Sequence, residues 1–336
     1  VSERGIAGSL PRPTEPLRRA AGCDTNRAPA VVVGGPGESV LRAIAQLLTF
    51  LALSSAAGAD APTRNYFVYV CAESEDTVHK LRYGPSGLQV VKTITVGAFP
   101  AETEGPHGIN VSPDGKHWFL SIAHGMPFGT VNKYDTDNDE WLADVTVGMF
   151  PATMSISPAT GLLYVVNFNL HGDMEPSSIS VVETSTMLEV ARVDVGIMPH
   201  GSRTNSRGTK LYSVNMMGDN LVELDTLKFE VARTLSLLGD DGSDDGVLTR
   251  MSHRVKPTWA TTPTATGKVY VAGNGDHNIY EVDTDAWRVS RTLVAGDGMG
   301  PYNLEVTSDG RLLVATYKSG AHVGIWDLTM GEELAR

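Results

Sequence analysis

The chain has 336 residues, of which 35 are Gly and 18 Pro, with 41% hydrophobic and only 20% charged residues. That composition is too apolar for a disordered chain and rich in the punctuation of short strands and turns. Net charge is −12, from 27 basic and 39 acidic residues, which sets the chain against a nucleic-acid duplex or an anionic membrane as partner. Two cysteines, Cys23 and Cys71, are too few for a disulfide framework or a thiolate zinc site.

In chain order, the first 39 residues are rich in Pro, Gly, Arg and Ala. From Leu41 the sequence has a basic residue, Arg42, then an apolar run to Leu53, then small residues through Ala57-Gly58-Ala59. This is the three-part layout of a secretory signal, and the run is too short to span a bilayer. The expectation is a signal peptide over residues 40–59 starting at Val40, with residues 1–39 an upstream over-extension; a basic tail before an internal anchor helix is the alternative. Cys23 is no lipoprotein site, because Arg18 and Arg19 stand where its apolar run belongs. Residues 60–336 are then one exported domain, periplasmic or secreted, with no membrane in its mature form. Its charge is more acidic still, 21 basic against 35 acidic residues.

A repeat organises that domain. Five turns recur, Ser112-Pro113-Asp114-Gly115, Ser157 to Gly161, Asn205 to Gly208, Thr264 to Gly267 and Thr307 to Gly310, their glycines 46, 47, 59 and 43 residues apart. After each comes a β-branched or aromatic run such as Leu163-Tyr164-Val165-Val166, then a polar loop, an alternating strand such as Asn220 to Asp225, and a segment closed by Val-Gly or similar, as at Val147-Gly148. Four period-two strands per 40–50 residues predict β-propeller blades. On these residues the chain resembles the YVTN-repeat β-propellers; Tyr164-Val165-Val166-Asn167 and Met198-Pro199-His200-Gly201 carry the match, over residues 65–336. With strands A to D counted outward from the channel, six blades of about 45 residues are visible and the first lacks strand A. The expectation is a carboxyl-terminal truncation of a seven-bladed parent; a six-bladed ring with a poorly formed seam, which leaves an edge strand exposed, is the alternative.

The histidines are unevenly placed. Six of nine fall in loops of one face: His107 and His200 open A strands in Pro-His-Gly motifs, His124, His171 and His277 lie in B–C loops, and His253 lies in the insertion before blade five. Eight of the eleven methionines, Met126, Met149, Met174, Met198, Met216, Met217, Met251 and Met299, fall in the same loops. Imidazole and thioether form a copper ligand set, and also an axial set for haem. Multi-histidine clusters at a channel mouth are similar to the copper site of nitrous oxide reductase and the haem site of d1-type nitrite reductases, both in propellers of this kind. Arg203 and Trp259 (in Lys256-Pro257-Thr258-Trp259) add a cation and an aromatic wall that could bind a cofactor. The bland alternative makes the histidines hydrogen-bonded rim residues and the methionines filler of an irregular apolar rim. Asp240 to Gly246 lacks the glutamate of a calcium loop and reads as a solvated insertion, while Cys71 reads as an inert buried thiol.

The sequence therefore points to a propeller whose His/Met-rich face binds a small-molecule ligand or a redox cofactor, copper or haem-like, with an electron-transfer partner in the second case. A non-catalytic binding platform and a lactonase-type hydrolase stand beside that reading.

Overall fold

The computed structural model describes residues 62–99, 101–124, 128–239 and 254–336. The signal-peptide and start-site expectations, Cys23, His253, Met126, Met251 and the Asp240 to Gly246 run lie outside those residues. Among the described residues the protein is all-β, six antiparallel sheets arranged as propeller blades. Blades two to six have four strands each, beginning at Pro106, Pro151, Pro199, Pro257 and Pro301. The first has three, Tyr66–Ala72, Thr77–Gly84 and Gly87–Thr95, as the strand count anticipated. Among the described residues no helix interrupts the strands apart from the one-turn 3₁₀ segment Glu73–Glu75, and none is long and apolar enough to cross a membrane.

Each strand alternates between two neighbouring interfaces, so the core is divided into layers between blades. One layer joins Phe119, Val131, Leu163 and Val165 between blades two and three; another joins Tyr212, Leu221, Val269 and Val271 between blades four and five. The large aromatics follow the same rule, with Trp118 fully buried between Tyr69 and Tyr134 at ring separations of 5.0 and 4.0 Å.

Polar bolts cross the five interfaces between consecutive blades on the outer side. Lys80, Lys133, Tyr164, Arg233 and Arg291 each donate to a main-chain carbonyl in the next blade's C–D turn: Thr136, Thr184, Thr226, Thr284 and Leu328 respectively, at 2.6–3.0 Å. The acidic residue before each of these, Asp135, Glu183, Asp225, Asp283 or Asp327, accepts hydrogen bonds from the following main-chain N–H groups and holds the carbonyl in place. The acidic C–D turn, Asp-Thr in three blades, Glu-Thr in one and Asp-Leu in one, is thus the receiving half of a blade-to-blade latch.

On the channel side the inner strands lie very close together. A Cβ at Gly108 would sit 2.0 Å from the Ala152 carbonyl oxygen, and one at Gly201 2.5 Å from that of Thr258. Glycine in Pro-His-Gly is required because the neighbouring strand's backbone occupies the space a side chain would take. Gly108→Ala is expected to cost about 1–3 kcal/mol from overpacking, read as a lower urea midpoint with an unchanged m value.

Candidate functional site at the channel mouth

Five A strands open on proline, and the residue before each proline has positive φ: Gly105 (67°), Phe150 (51°), Met198 (51°), Lys256 (46°) and Gly300 (58°). Each B strand ends by donating two main-chain hydrogen bonds into this corner, as Phe168 N to Phe150 O (2.9 Å) and Asn169 N to Met149 O (3.0 Å) do in blade three. The pairing ties every B–C loop to the start of strand A, which gathers the loops on one rim. The residue after the proline then faces the channel mouth, and around the ring it is His107, Ala152, His200, Thr258 and Tyr302.

His200, 3% exposed, is held on both sides. Its Nδ1 lies 2.7 Å from the Thr258 carbonyl oxygen, which only accepts, so Nδ1 carries the proton and Nε2 has the lone pair. The Tyr302 hydroxyl donates to that Nε2 at 2.9 Å. Blades four and six are not neighbours, so this bond spans the channel over Thr258. His107 lies across from His200 as well, from blade two, with ring centroids 6.4 Å apart, and it makes no hydrogen bond among the described residues. Burial, with the like charge of His107 next, pushes the His200 pKa down to about 3. Burial also lowers His107, with His124 reinforcing and Glu73 opposing. Both imidazoles are therefore neutral near pH 7.

A second group begins at Glu73. Its Oε1 is 3.2 Å from His124 Nε2, and His124 Nδ1 is 3.3 Å from His171 Nε2. Burial alone would raise the Glu73 carboxyl, but the His124 hydrogen bond and the attraction of His107 outweigh it and hold the group below its ordinary range. An ionised carboxylate takes the proton on His124 Nε2, which leaves His124 Nδ1 to accept from His171. Phe150, 1% exposed, is the hub: its ring is 5.5, 5.0 and 5.4 Å from those of His107, His124 and His171, and 5.6 Å from Phe168, which meets His200 edge-on at 4.8 Å. Lys256 and Lys318 stand on the same rim and form no ion pair among the described residues; burial, and then repulsion from Lys256, lowers the Lys318 pKa. The Lys318 ammonium lies 5.7 Å from the Tyr302 ring centroid.

The structure thus brings together four of the six histidines singled out in the sequence, His107, His124, His171 and His200. His277 serves a different purpose. Its Nδ1 accepts from Gly300 N at 3.1 Å, as Asp76 accepts from Glu104 N and Gly105 N, and Asp219 from Arg254 N and Lys256 N, one blade pair each. It is the latch residue before strand C, away from the histidine group. Met149, Met198, Met216 and Met217 pack with Phe150, Phe168 and Ile197 as an apolar collar under the rim, and Met174 is exposed. Arg203 and Trp259 stack at 4.3 Å lower in the channel. Cys71, its thiol pushed up to about 12 by burial and then by Glu73, is the inert thiol expected. Glu73 and Tyr302 escaped the sequence reading. Tyr302 had a signal, since Pro301-Tyr302 stands in register with Pro106-His107 and Pro199-His200.

Fold and rim together define the protein as a β-propeller. No family model and no curated protein matches the sequence. Among solved structures it is similar to a Kuenenia stuttgartiensis hydrazine synthase chain, with TM-score 0.63 and 17% identity over 78% of this chain and 80% of that one. It is also similar to a functionally unknown protein from Desulfotomaculum acetoxidans DSM 771, with TM-score 0.62 and 10% identity over 81% and 84%. At these identities the likeness is one of fold.

Because the folded pKa of His200 is far below the unfolded value of about 6.5, the unfolded chain binds its proton first on acidification. The stability that His200 contributes is complete above that value and is lost as pH falls from there towards 3. His200→Gln is expected to flatten the fall in urea midpoint over this range.

Proposed function

We propose that the protein is an exported YVTN-type propeller that binds a small ligand at the channel mouth, between His107, His200 and Tyr302. One observation supports this above the others: two neutral imidazoles from non-adjacent blades face each other across the channel, one with its tautomer fixed by a backbone carbonyl. A metal-ligating histidine is prepared in the same way, its second nitrogen donating to a carbonyl and its lone pair directed at the ion. With nitrogen ligands about 2 Å from a first-row metal, rings whose centroids are 6.4 Å apart suit one ion held between them. Copper in a two-coordinate site is the metal these donors fit, on condition that Tyr302 releases Nε2. Sites needing three or four protein ligands do not fit, since no three His, Cys, Asp or Glu side chains converge among the described residues. A haem-like macrocycle fits less well, because Phe150, Phe168 and Tyr302 stand against the two rings. Copper there would supply one-electron redox chemistry, with an electron-transfer protein as partner.

Purified protein titrated with copper(I) under a competing chelator is expected to bind one equivalent. His107→Ala/His200→Ala should lose that binding while still unfolding in one cooperative transition, at a melting temperature lowered by the lost Thr258 and Tyr302 bonds. Unchanged stoichiometry in the double variant would remove the copper reading.

The Glu73–His124–His171 chain favours a second reading, general base catalysis of the lactonase type. A proton taken up at His171 Nδ1 passes its partner on Nε2 to His124 Nδ1, and the imidazolium so formed is stabilised by the Glu73 carboxylate. Lys256 and Lys318 would meet the carboxylate that ring opening releases. If the protein hydrolyses lactones, Glu73→Gln should lower kcat by about a hundredfold or more with little change in KM; an unaffected rate would exclude the relay.

A further inference from the structure

The channel carries a second polar group at its other end. Arg203 is the fifth residue of the six-residue strand Pro199–Thr204, so it lies roughly 10 Å along the strand from His200, towards the A–B turns. Its guanidinium lies 4.3 Å from the Trp259 ring centroid, on strand A of the next blade. Only one of its donors has an acceptor among the described residues, Nη1 to the Ser202 carbonyl at 2.8 Å. The Trp259 Nε1–H is buried and has no partner either. Glu305, two blades from Arg203, makes no ion pair with it, although the two feel each other's charge. Side chains of blades four and six share no interface except the channel, so Arg203 and Glu305 both face its lumen.

A guanidinium has five N–H donors and no acceptor, and stacking on an indole fixes its plane while leaving its edges open. Buried donors in a folded protein are nearly always satisfied. Here the donors come from two strands and the described residues supply one acceptor. What completes the group is an acceptor with several oxygens and a negative charge. We infer that this end of the channel is a binding site for a small oxyanion, a carboxylate or a phosphate, held on the Arg203 guanidinium against Trp259. Glu305 sets the limit on affinity, since its own charge opposes an incoming anion. The inference does not rest on the copper or lactonase readings.

Calorimetric titration of the full-length protein with succinate, and separately with inorganic phosphate, tests it at ionic strength held constant with chloride. One saturable equivalent of at least one probe is expected, and the probe that binds tells carboxylate from phosphate. Arg203→Leu should weaken it about tenfold or more, Arg203→Lys by less, because the ammonium keeps charge without the fork. Glu305→Gln should tighten it severalfold, which keeps the test informative if Arg203→Leu fails to fold. His107→Ala, which breaks no side-chain hydrogen bond among the described residues, should bind the anion as wild type does. Absence of saturable binding, an affinity indifferent to Arg203→Leu or to Glu305→Gln, or loss of binding in His107→Ala would each overturn the proposal.

Discussion

The structure depends on the grip that each blade takes on the main chain of the next. Outside, a side-chain donor from one blade reaches a C–D turn carbonyl of its neighbour, five times over. Inside, the carbonyls of the residues after the A-strand prolines are gripped in the same way. Ser121 donates to Ala152 O, Thr153 to His200 O, His200 Nδ1 to Thr258 O and Thr258 to Tyr302 O, at 2.6–2.9 Å. A hydrogen bond of this kind contributes only about 1 kcal/mol. Its importance lies in register: two rings of such bonds set the height of each blade, and a mouth residue shifted by one position along a strand would turn to the other face.

That register makes the site. Every blade offers the same place on the rim, and point differences decide what stands there. Had all five been alike, the mouth would be a symmetric collar. Instead two histidines, a tyrosine, an alanine and a threonine occupy it, and the two smaller residues leave room for contacts between non-neighbouring blades. His200 is both structural and chemical: the Nδ1–H that bolts blade four to blade five also fixes the lone pair on Nε2. Repeat folds commonly divide labour in this way, with scaffold shared by all units and function resting on exceptions.

Much of this was legible in the sequence because it is local. Period-two strands, glycines at turn positions and the proline that opens each A strand lie within a few residues of what they determine, and so does the Pro-His-Gly motif. The partners of His200 were not legible. Tyr302 is 102 residues away and Thr258 58, brought to it only by the stacking of successive blades around the channel. His277 misled for a related reason. In its own loop it is a histidine on the functional rim, and only alignment in space with Asp76 and Asp219 shows a main-chain latch whose side chain happens to be an imidazole. The methionines also followed geometry: the collar beneath the rim is irregular, and an unbranched thioether fills irregular space.

The mouth is closed by a weak bolt on a stiff frame. Non-glycine residues with positive φ, Phe150, Met198 and Lys256, fix the corners of three blades, and such backbone is retained only where the surroundings over-determine it. Moving those corners would break the paired main-chain bonds to the B–C loops as well as the collar. By contrast, Tyr302 is held at His200 by one neutral hydrogen bond, of about 1 kcal/mol, and its phenol can turn away about its own side-chain torsions. A ligand that offers His200 Nε2 a better partner has only that bond to replace. Selectivity at the proposed site would therefore fall on the chemistry of the lone pairs of His107 and His200, because the frame admits little change of shape and the bolt little resistance.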